Sequence, residues 1–281
     1  MPATRRGRPI AGAPPLPWTV THGTGLGPRR SWPVRPVLSG SDSLTEVVIA
    51  HLYPAELNIY GDTGNIIALR KRLEWRGYSV RVVPVEPGED FDWCTADIAF
   101  GGGGQDSGQL RVAADLRERG NDVRAAVAAG LPLLAVCGLY QLLGESFVTE
   151  AGREIEGIGV FSAVTTAGRS RLIGNVIVDS PFGELSGFEN HSGQTVLRPG
   201  QRALGSVRSG YGNNSAGRDE GAISGHAIGT YLHGPVLPRN PALTDQLISA
   251  ALFRRNATKP LLALDDRHER AAGRAAARLP Q

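Results

Sequence analysis

From Val47 onward, short runs of apolar and β-branched residues alternate along the chain with amphipathic stretches. Parallel sheets built from βαβ units show this alternation, because each buried strand is followed by a helix that covers it. The pattern predicts strands at residues 47–52, 79–85, 98–100 and 131–136. Apolar residues at helical spacing predict one helix that begins near Ile66 and stops at Gly77, and a long helix over residues 108–129.

The second half of the chain has a different pattern, in which glycines separate short apolar strands. Strands are predicted at residues 161–165, 172–178 and 195–198. Asn240 followed by Pro241 is typical of a helix start, with a cap and then a first-turn proline, so a helix over residues 243–253 is expected to close the domain. The predicted fold class is therefore α/β, with a largely parallel sheet flanked by helices on both sides and a β-rich second half.

Both ends of the chain differ from this central body. Residues 1–44 are rich in proline, glycine and arginine, show no helical or strand period and lack the apolar segment of a secretory signal. We interpret them as a disordered basic extension; an arginine-rich presequence is a minor alternative. The domain is predicted to span residues 45–253, and residues 254–281 to form a basic, flexible tail.

Composition and charge exclude some classes of function for this protein. With 41% hydrophobic and 20% charged residues, the chain can form a sizeable core. The most apolar run, residues 131–143, is interrupted by Gly138 and Gln141, which argues against a transmembrane span. Arginines concentrate in the two ends while acidic residues exceed basic ones in the body, so a nucleic-acid-binding face is not indicated.

Two cysteines, Cys94 and Cys137, are too few for a disulfide framework or a zinc cluster, and no metal site is predicted. This cysteine usage favours a reducing compartment. We therefore expect a cytoplasmic protein. Peripheral contact of its basic ends with anionic lipid at the inner membrane face is a minor alternative.

Cys137 follows an apolar strand and is followed at once by Gly138 and a helical period. This places the sulfur on a tight strand-to-helix turn, the nucleophile elbow that α/β-hydrolases use with serine. The helix N-terminus favours a thiolate, and the next backbone N–H can hold an oxyanion. The alternative is an ordinary buried core cysteine. Cys94 has no elbow after it and is interpreted as structural.

A thiolate nucleophile needs a base, and the histidines differ in their surroundings. His233 ends the apolar segment 227–232 and precedes Gly234 and Pro235, so it lies at a strand end, where catalytic residues of open sheets gather. His191 is a candidate for substrate binding or for support of the site. His226 is given a structural or solvent role.

Four consecutive glycines, 101–104, follow the third predicted strand and precede Gln105 and Asp106. Such a run permits close backbone approach to a ligand, although a flexible loop has the same composition. The run lacks the lysine and hydroxyl residue that end a phosphate-binding loop, and so does Gly61–Gly64. No ATP site and no cofactor are predicted.

Five segments follow one another in order along residues 45–253: Tyr60–Asn65, Gly102–Asp106, Cys137–Gly144, Gly187–His191 and Gly229–Pro235. Together they resemble the class I glutamine amidotransferases of the cobyric-acid-synthase-like branch. The resemblance is greatest to the glutaminase subunits of lipid II isoglutaminyl synthases, and it implies a flavodoxin-like fold.

The resemblance implies that Cys137 hydrolyses L-glutamine through a thioester, with His233 as general base and acid. It implies delivery of ammonia to an ATP-dependent, Mur-ligase-like partner in a heterodimer, which amidates the D-glutamate α-carboxylate of the lipid II stem peptide in peptidoglycan synthesis. The N–H groups of Gly103 and Gly138 are expected to hold the oxyanion.

The expected substrate-binding residues are Arg171, Gln141 and His191. The α-carboxylate of glutamine needs a cation, and Arg169 and Arg171 both fall in a predicted turn before the strand at 172–178. Arg171 is favoured because it adjoins that strand and is therefore better held.

Two residues depart from the family pattern. Ala135 stands where the elbow usually begins with glycine, and Pro235 stands where many relatives place a glutamate two residues after the histidine. Either the site is a Cys–His dyad or an acid elsewhere orients the imidazole. A stand-alone cysteine hydrolase, an amidotransferase subunit for a cobyric-acid-like acceptor and a catalytically silent binding subunit remain as alternatives.

Overall fold

The computed structural model of the protein describes residues 46–59, 61–257 and 260–277. The predicted extension over residues 1–44 therefore lies outside the described residues. The strands are β1 (Val47–Leu52), β2 (Val80–Val85), β3 (Ile98–Gly101), β4 (Leu133–Val136), β5 (Ser146–Val148), β6 (Glu154–Glu156), β7 (Ala163–Ser180), β8 (Gly183–Leu197), β9 (Gly205–Ser209), β10 (Asp219–Glu220), β11 (Ala222–Ser224) and β12 (Ala227–Thr230). The helices are α1 (Thr63–Glu74), α2 (Asp106–Glu118), α3 (Gly120–Ala128), α4 (Gly138–Leu142), α5 (Val236–Arg239), α6 (Pro241–Arg254) and α7 (Arg267–Ala276).

The first sheet has the strand order β11-β12-β4-β3-β1-β2. Its strands run parallel except for β11, which pairs antiparallel with β12 at the edge. Strands β1, β3, β4 and β12 are buried along their whole length, as expected of a parallel sheet covered on its faces. The structure confirms the predicted α/β fold, and the four early strands lie within two residues of their predicted bounds.

The second sheet, with the order β10-β9-β7-β5-β6, comes from the β-rich half of the chain. Its main feature is the long antiparallel hairpin of β7 and β8. An isolated bridge between Phe188 of β8 and His233 connects this hairpin to the segment that follows β12. The second sheet therefore reaches the carboxyl edge of the first one.

One predicted helix is divided in the structure. The sequence predicts a single helix over residues 108–129, whereas α2 ends at Glu118 and α3 begins at Gly120. The guanidinium of Arg119, at the junction, binds Asp115 and the carbonyl of Glu89. A Cβ on Gly120 would lie 3.0 Å from Ile158, so the two helices meet at a close contact that helical periodicity does not reveal.

The turn predicted before Leu172 is also absent. Strand β7 runs continuously from Ala163 to Ser180, with an irregular register against β8 between Ala167 and Leu172. Arg169 and Arg171 are therefore in an irregular part of a long strand. The polar residues of this irregular part of β7 are exposed. A turn has the same composition, so the sequence alone does not distinguish the two.

Asn240 precedes helix α6 as predicted, but its side chain does not cap that helix. Its amide oxygen accepts the N–H of Ser186, and its amide nitrogen donates to the carbonyls of Ser186 and Val236. Asn240 therefore ties the start of α6 to strand β8.

Residues 260–277, the described part of the C-terminal segment, contact the body of the protein, and the predicted flexibility of the tail stays a prediction. Arg72 of α1 binds Asp266 at 2.7 Å as well as Asp245 of α6, and Arg76 donates to the carbonyl of Leu262. Helix α7 then packs on the body through buried Gly273, where a Cβ would lie 3.1 Å from the carbonyl of Arg239. Burial of the Arg72 guanidinium is offset by these two carboxylates, which holds the segment in place.

None of the helices in the described ranges combines the length and the apolar character that a bilayer crossing requires.

Candidate active site

Four loops meet at the carboxyl edge of the parallel sheet. They follow β1, β3, β4 and β12, and they carry Asp62, Gly103, Cys137 and His233 respectively. Open α/β sheets bind ligands outside the carboxyl ends of their strands, because the loops there converge on one crevice. The topology alone therefore brings together residues from four distant parts of the chain.

Cys137 occupies the turn between β4 and α4 with φ 50° and ψ −101°. A positive φ is unfavourable for a residue with a Cβ, so this conformation is held by its surroundings. The N–H of Cys137 donates to the carbonyl of Thr230 at 2.8 Å, and its carbonyl accepts the N–H of Gln141 at 3.0 Å. The predicted nucleophile elbow is thus present in the backbone.

His233 is fully buried and is fixed by its backbone. Its N–H donates to the carbonyl of Phe188 at 2.7 Å, and the N–H of Phe188 donates back at 3.1 Å. A Cβ added to Gly103 would lie 2.9 Å from Cε1 of His233 and 3.2 Å from Cβ of Cys137. The imidazole and the cysteine therefore border the same stretch of backbone, so the structure brings together the two predicted catalytic residues.

Asp62 adds a carboxylate to this pair. It is fully buried at the start of α1, and its Oδ1 lies 3.9 Å from Nδ1 of His233. Its Oδ2 accepts the N–H of Gly103 at 2.7 Å, which fixes the carboxylate in the loop. In the sequence, Asp62 belongs to the segment Tyr60–Asn65, and no role was predicted for it. Asp62 lies between the first strand and the first helix. This position predicts that it lies at the same edge of the sheet as the other loops.

Two opposing effects act on the pKa of His233. Burial lowers it, but the negative charge of the Cys137 thiolate and the contacts with Asp62 and Cys137 outweigh burial and raise it above its ordinary value. A raised pKa favours the imidazolium at neutral pH. An imidazolium beside the sulfur is the electrostatic partner that favours a nucleophilic cysteine.

The glycine run after β3 packs closely against the loop after β1. A Cβ on Gly102 would lie 2.4 Å from Oδ2 of Asp62, and a Cβ on Gly104 would lie 2.8 Å from the carbonyl of Glu56. Glycine is required at both positions because no side chain fits. The run is therefore a tightly packed wall of the crevice.

The two predicted oxyanion donors lie at this wall. The Gly103 N–H is already engaged with Asp62, so it must leave the carboxylate before it can hold an oxyanion. Gly138 faces the backbone of the glycine run, since a Cβ there would lie 2.9 Å from the nitrogen of Gly104. Both oxyanion assignments stay predictions.

Gln141 and His191 belong to a buried polar network beside the elbow. Oε1 of Gln141 accepts a hydrogen bond from Gln109 at 2.6 Å, and its Nε2 donates to the Tyr231 hydroxyl at 3.2 Å. The imidazole of His191 stacks on the Tyr231 ring at 3.6 Å, and its Nδ1 donates to the carbonyl of Gly193 at 2.8 Å. These contacts fix both side chains, and their binding of substrate remains a prediction.

Arg171, the predicted partner of the substrate carboxylate, is exposed on β7. Its guanidinium binds the side-chain oxygen and the carbonyl of Asn190, both at 2.8 Å. Asn190 precedes His191 on β8, which places Arg171 near the polar network. None of the described contacts joins Arg171 to Cys137 or His233, and its role stays a prediction.

Glu220 is a second acidic residue that the sequence analysis did not single out. It is fully buried, and it accepts hydrogen bonds from the hydroxyl of Thr230 and from the N–H of Tyr231. Burial raises its pKa to about 7, although these hydrogen bonds oppose that effect. Glu220 therefore anchors the segment that leads from β12 to His233.

Together, the α/β fold and its carboxyl sheet edge place a cysteine on a strand-to-helix turn beside a buried histidine and a buried carboxylate. Residues 48–241 match the family model of the CobB/CobQ-like glutamine amidotransferase domain. The chain belongs to this family of glutamine amidotransferases.

Curated relatives agree with this assignment. The chain is 40% identical to the lipid II isoglutaminyl synthase (glutamine-hydrolyzing) subunit GatD of Staphylococcus aureus, over 75% of this chain and 86% of that protein. It is 41% identical to the GatD subunit of Streptococcus pneumoniae, over 74% of this chain and 81% of that protein. A cobyric acid synthase from Allorhizobium ampelinum is 34% identical, over 56% of this chain and 32% of that protein.

Proposed function

We propose that this chain is the glutaminase subunit of a lipid II isoglutaminyl synthase. The enzyme would hydrolyse L-glutamine at Cys137 and pass ammonia to a Mur-ligase-like, ATP-dependent partner. The partner would amidate the D-glutamate α-carboxylate of the lipid II stem peptide to give D-isoglutamine. The proposed hydrolysis of glutamine is supported by the convergence of Cys137, His233 and Asp62 at one edge of the sheet.

The reaction begins with attack of the Cys137 thiolate on the carboxamide carbon of glutamine. Backbone N–H groups of the elbow and the glycine run hold the negative oxygen of the tetrahedral intermediate. The imidazolium of His233 gives its proton to the leaving ammonia, and a thioester remains on the sulfur. The now neutral imidazole takes a proton from water, which cleaves the thioester and releases glutamate.

The acceptor half of the proposal is supported by the relatives. The two GatD subunits match over most of their own length, whereas the cobyric acid synthase matches over a third of its length. A lipid-linked acceptor would place the reaction in the cytoplasm, at the inner face of the membrane. The proposed enzyme body is residues 45–253.

The test of the acceptor is reconstitution with the Mur-ligase-like protein of the same cell. The purified pair, given ATP, lipid II and glutamine labelled with ¹⁵N in its amide, is expected to place ¹⁵N in the stem peptide, as measured by mass spectrometry. With Cys137→Ala in the complex, glutamine should fail and ammonium chloride should restore amidation, since the partner's site is intact.

Other outcomes contradict the proposal in distinct ways. Ammonia release without any labelled peptide would favour a stand-alone hydrolase, and labelling of a cobyric-acid-like acceptor would favour that branch of the family. Absence of hydrolysis both with and without the partner would favour a catalytically silent binding subunit.

Asp62 is proposed to position His233. The substitution Asp62→Asn keeps an oxygen for the Gly103 N–H but removes the charge beside the imidazole, so we expect kcat to fall by roughly 10- to 10³-fold. Because Asp62 helps to raise the pKa of His233, the alkaline limb of the pH–rate profile should move to lower pH. Steady-state ammonia release across pH measures both effects.

The matched control is Asp92→Asn, which removes an exposed carboxylate that accepts the N–H of Cys94. This variant should keep the wild-type pH profile. If Asp62→Asn loses activity but its pH profile is unchanged, Asp62 is a structural residue of the loop, and the site is a Cys–His dyad.

A further inference from the structure

A cleft lined by three arginines includes the end of helix α5, the helix that follows the His233 segment. It is bounded by the turn of the β7–β8 hairpin, the start of α6 and helix α7, and has a volume of about 290 Å³. Arg239, Arg270 and Arg274 line it together with apolar residues that include Phe182 and Leu185. We call this the arginine cleft.

The charges of these arginines are not neutralised within the part of the chain that the structure describes. Glu184 is the carboxylate among the lining residues, and it binds Arg208 outside the cleft at 2.7 Å. The described contacts give no hydrogen bond or ion pair to the guanidiniums of Arg239, Arg270 and Arg274.

Two other buried arginines, Arg72 and Arg119, are each paired with carboxylates. Arg72 binds Asp245 and Asp266, and Arg119 binds Asp115 at 2.6 Å. Arg239 is about half-buried, and burial alone lowers its pKa. Burial of a charge without a partner is unfavourable, so an anion supplied from outside would stabilise this group.

We propose that the arginine cleft binds a phosphate group, either free phosphate or the end of a small phosphate monoester. A guanidinium donates two parallel hydrogen bonds to phosphate oxygens, and three cationic groups match a dianion better than a single carboxylate. The volume is just below the usual range for small-molecule sites, which suits a ligand as small as phosphate or a short ester. The apolar wall of Phe182 and Leu185 suits the carbon part of an ester.

The cleft is a composite of the body and the C-terminal segment. Arg239 ends α5, which follows directly on His233 to Pro235, while Arg270 and Arg274 lie one helical turn apart on α7. The site therefore exists only while α7 is docked. Bound phosphate should bridge α7 to the body and raise the melting temperature of the full chain.

The test is a titration of the full chain with inorganic phosphate and with glycerol 3-phosphate at constant ionic strength, followed by calorimetry and thermal unfolding. We expect saturable binding of one phosphate group and a higher Tm. Arg274→Gln and Arg270→Gln should each weaken binding by about tenfold, as expected for one lost charge-assisted hydrogen bond. Both residues are exposed, so neither variant should disturb folding.

Arg239→Gln should weaken binding at least as much, and its folding is checked by the Tm without phosphate. The matched control is Arg267→Gln on the same helix, because Arg267 pairs with Asp265 at 2.7 Å and does not line the cleft. Tighter binding of glycerol 3-phosphate than of phosphate would support a small ester, and equal binding would support free phosphate.

Three results would overturn the proposal. They are no saturable binding up to about 10 mM, the same affinity in Arg274→Gln as in Arg267→Gln, or binding of acetate as tight as that of phosphate. None of these measurements uses glutamine turnover, so the outcome is independent of the proposed glutaminase function.

Discussion

Replacing Cys137 by alanine or serine is expected to abolish glutamine hydrolysis, with a fall in kcat on the order of 10⁴-fold or more. Cys137 is the group that lies on the strained turn beside His233, and an alanine or a serine hydroxyl cannot form the thioester. Ammonia release from glutamine measures the loss, and an unchanged Tm shows that the fold is retained.

Cys94 provides the matched control. It lies in a 3₁₀ turn at Trp93–Thr95, where its N–H donates to Asp92, and it is away from the carboxyl edge of the sheet. Cys94→Ser should keep most of the activity. The glutamine analogue diazo-oxo-norleucine should alkylate Cys137 alone, and recovery of the label on Cys94 would contradict the assignment.

His233→Ala is expected to be nearly as damaging as loss of the cysteine, because the two residues act as one unit. The double variant with Cys137→Ala should then be no slower than either single variant. The rate of Cys137 alkylation reports the pairing of Cys137 with His233 directly. Since the imidazolium stabilises the thiolate, His233→Ala should slow the alkylation of Cys137 by iodoacetamide at neutral pH.

His226→Ala is the control for this experiment. His226 is half-buried in the turn between β11 and β12, at the opposite end of β12 from His233. Its replacement should have a mild effect on turnover and none on alkylation. A double variant much slower than both single variants would show that Cys137 and His233 contribute separately, and the shared site would have to be abandoned.

Local patterns in the sequence were sufficient for the elements that carry the nucleophile. The strand β1 was predicted at its observed bounds, and the turn at Cys137 followed from an apolar strand that runs directly into a helical period. These features depend on residues that are neighbours in the chain. For the same reason, the strand end at His233 was visible from its apolar approach and from the glycine and proline after it.

Hydrophobic periodicity gave wrong predictions where a contact with a residue distant in sequence sets the local structure. The break between α2 and α3 lies beside the close packing of Gly120 against Ile158, and the side chain of Asn240 binds strand β8 instead of its own helix. The docking of residues 260–277 depends on Arg72, whose partners Asp245 and Asp266 are remote in sequence. No local pattern contains this information.

The sequence by itself therefore determined the alternation of strands and helices, the elbow at Cys137 and the strand-end position of His233. Only the tertiary structure decided which carboxylate faces the imidazole of His233. The strand order places the loops after β1 and β12 at the same edge of the sheet, and this brings Oδ1 of Asp62 to 3.9 Å from Nδ1 of His233. The tertiary structure also decided that the Gly103 N–H is bound to Asp62 and that three arginines line one cleft. Contacts of this kind are set by the packing of distant segments, and hydrophobic periodicity specifies only which face of each segment is buried.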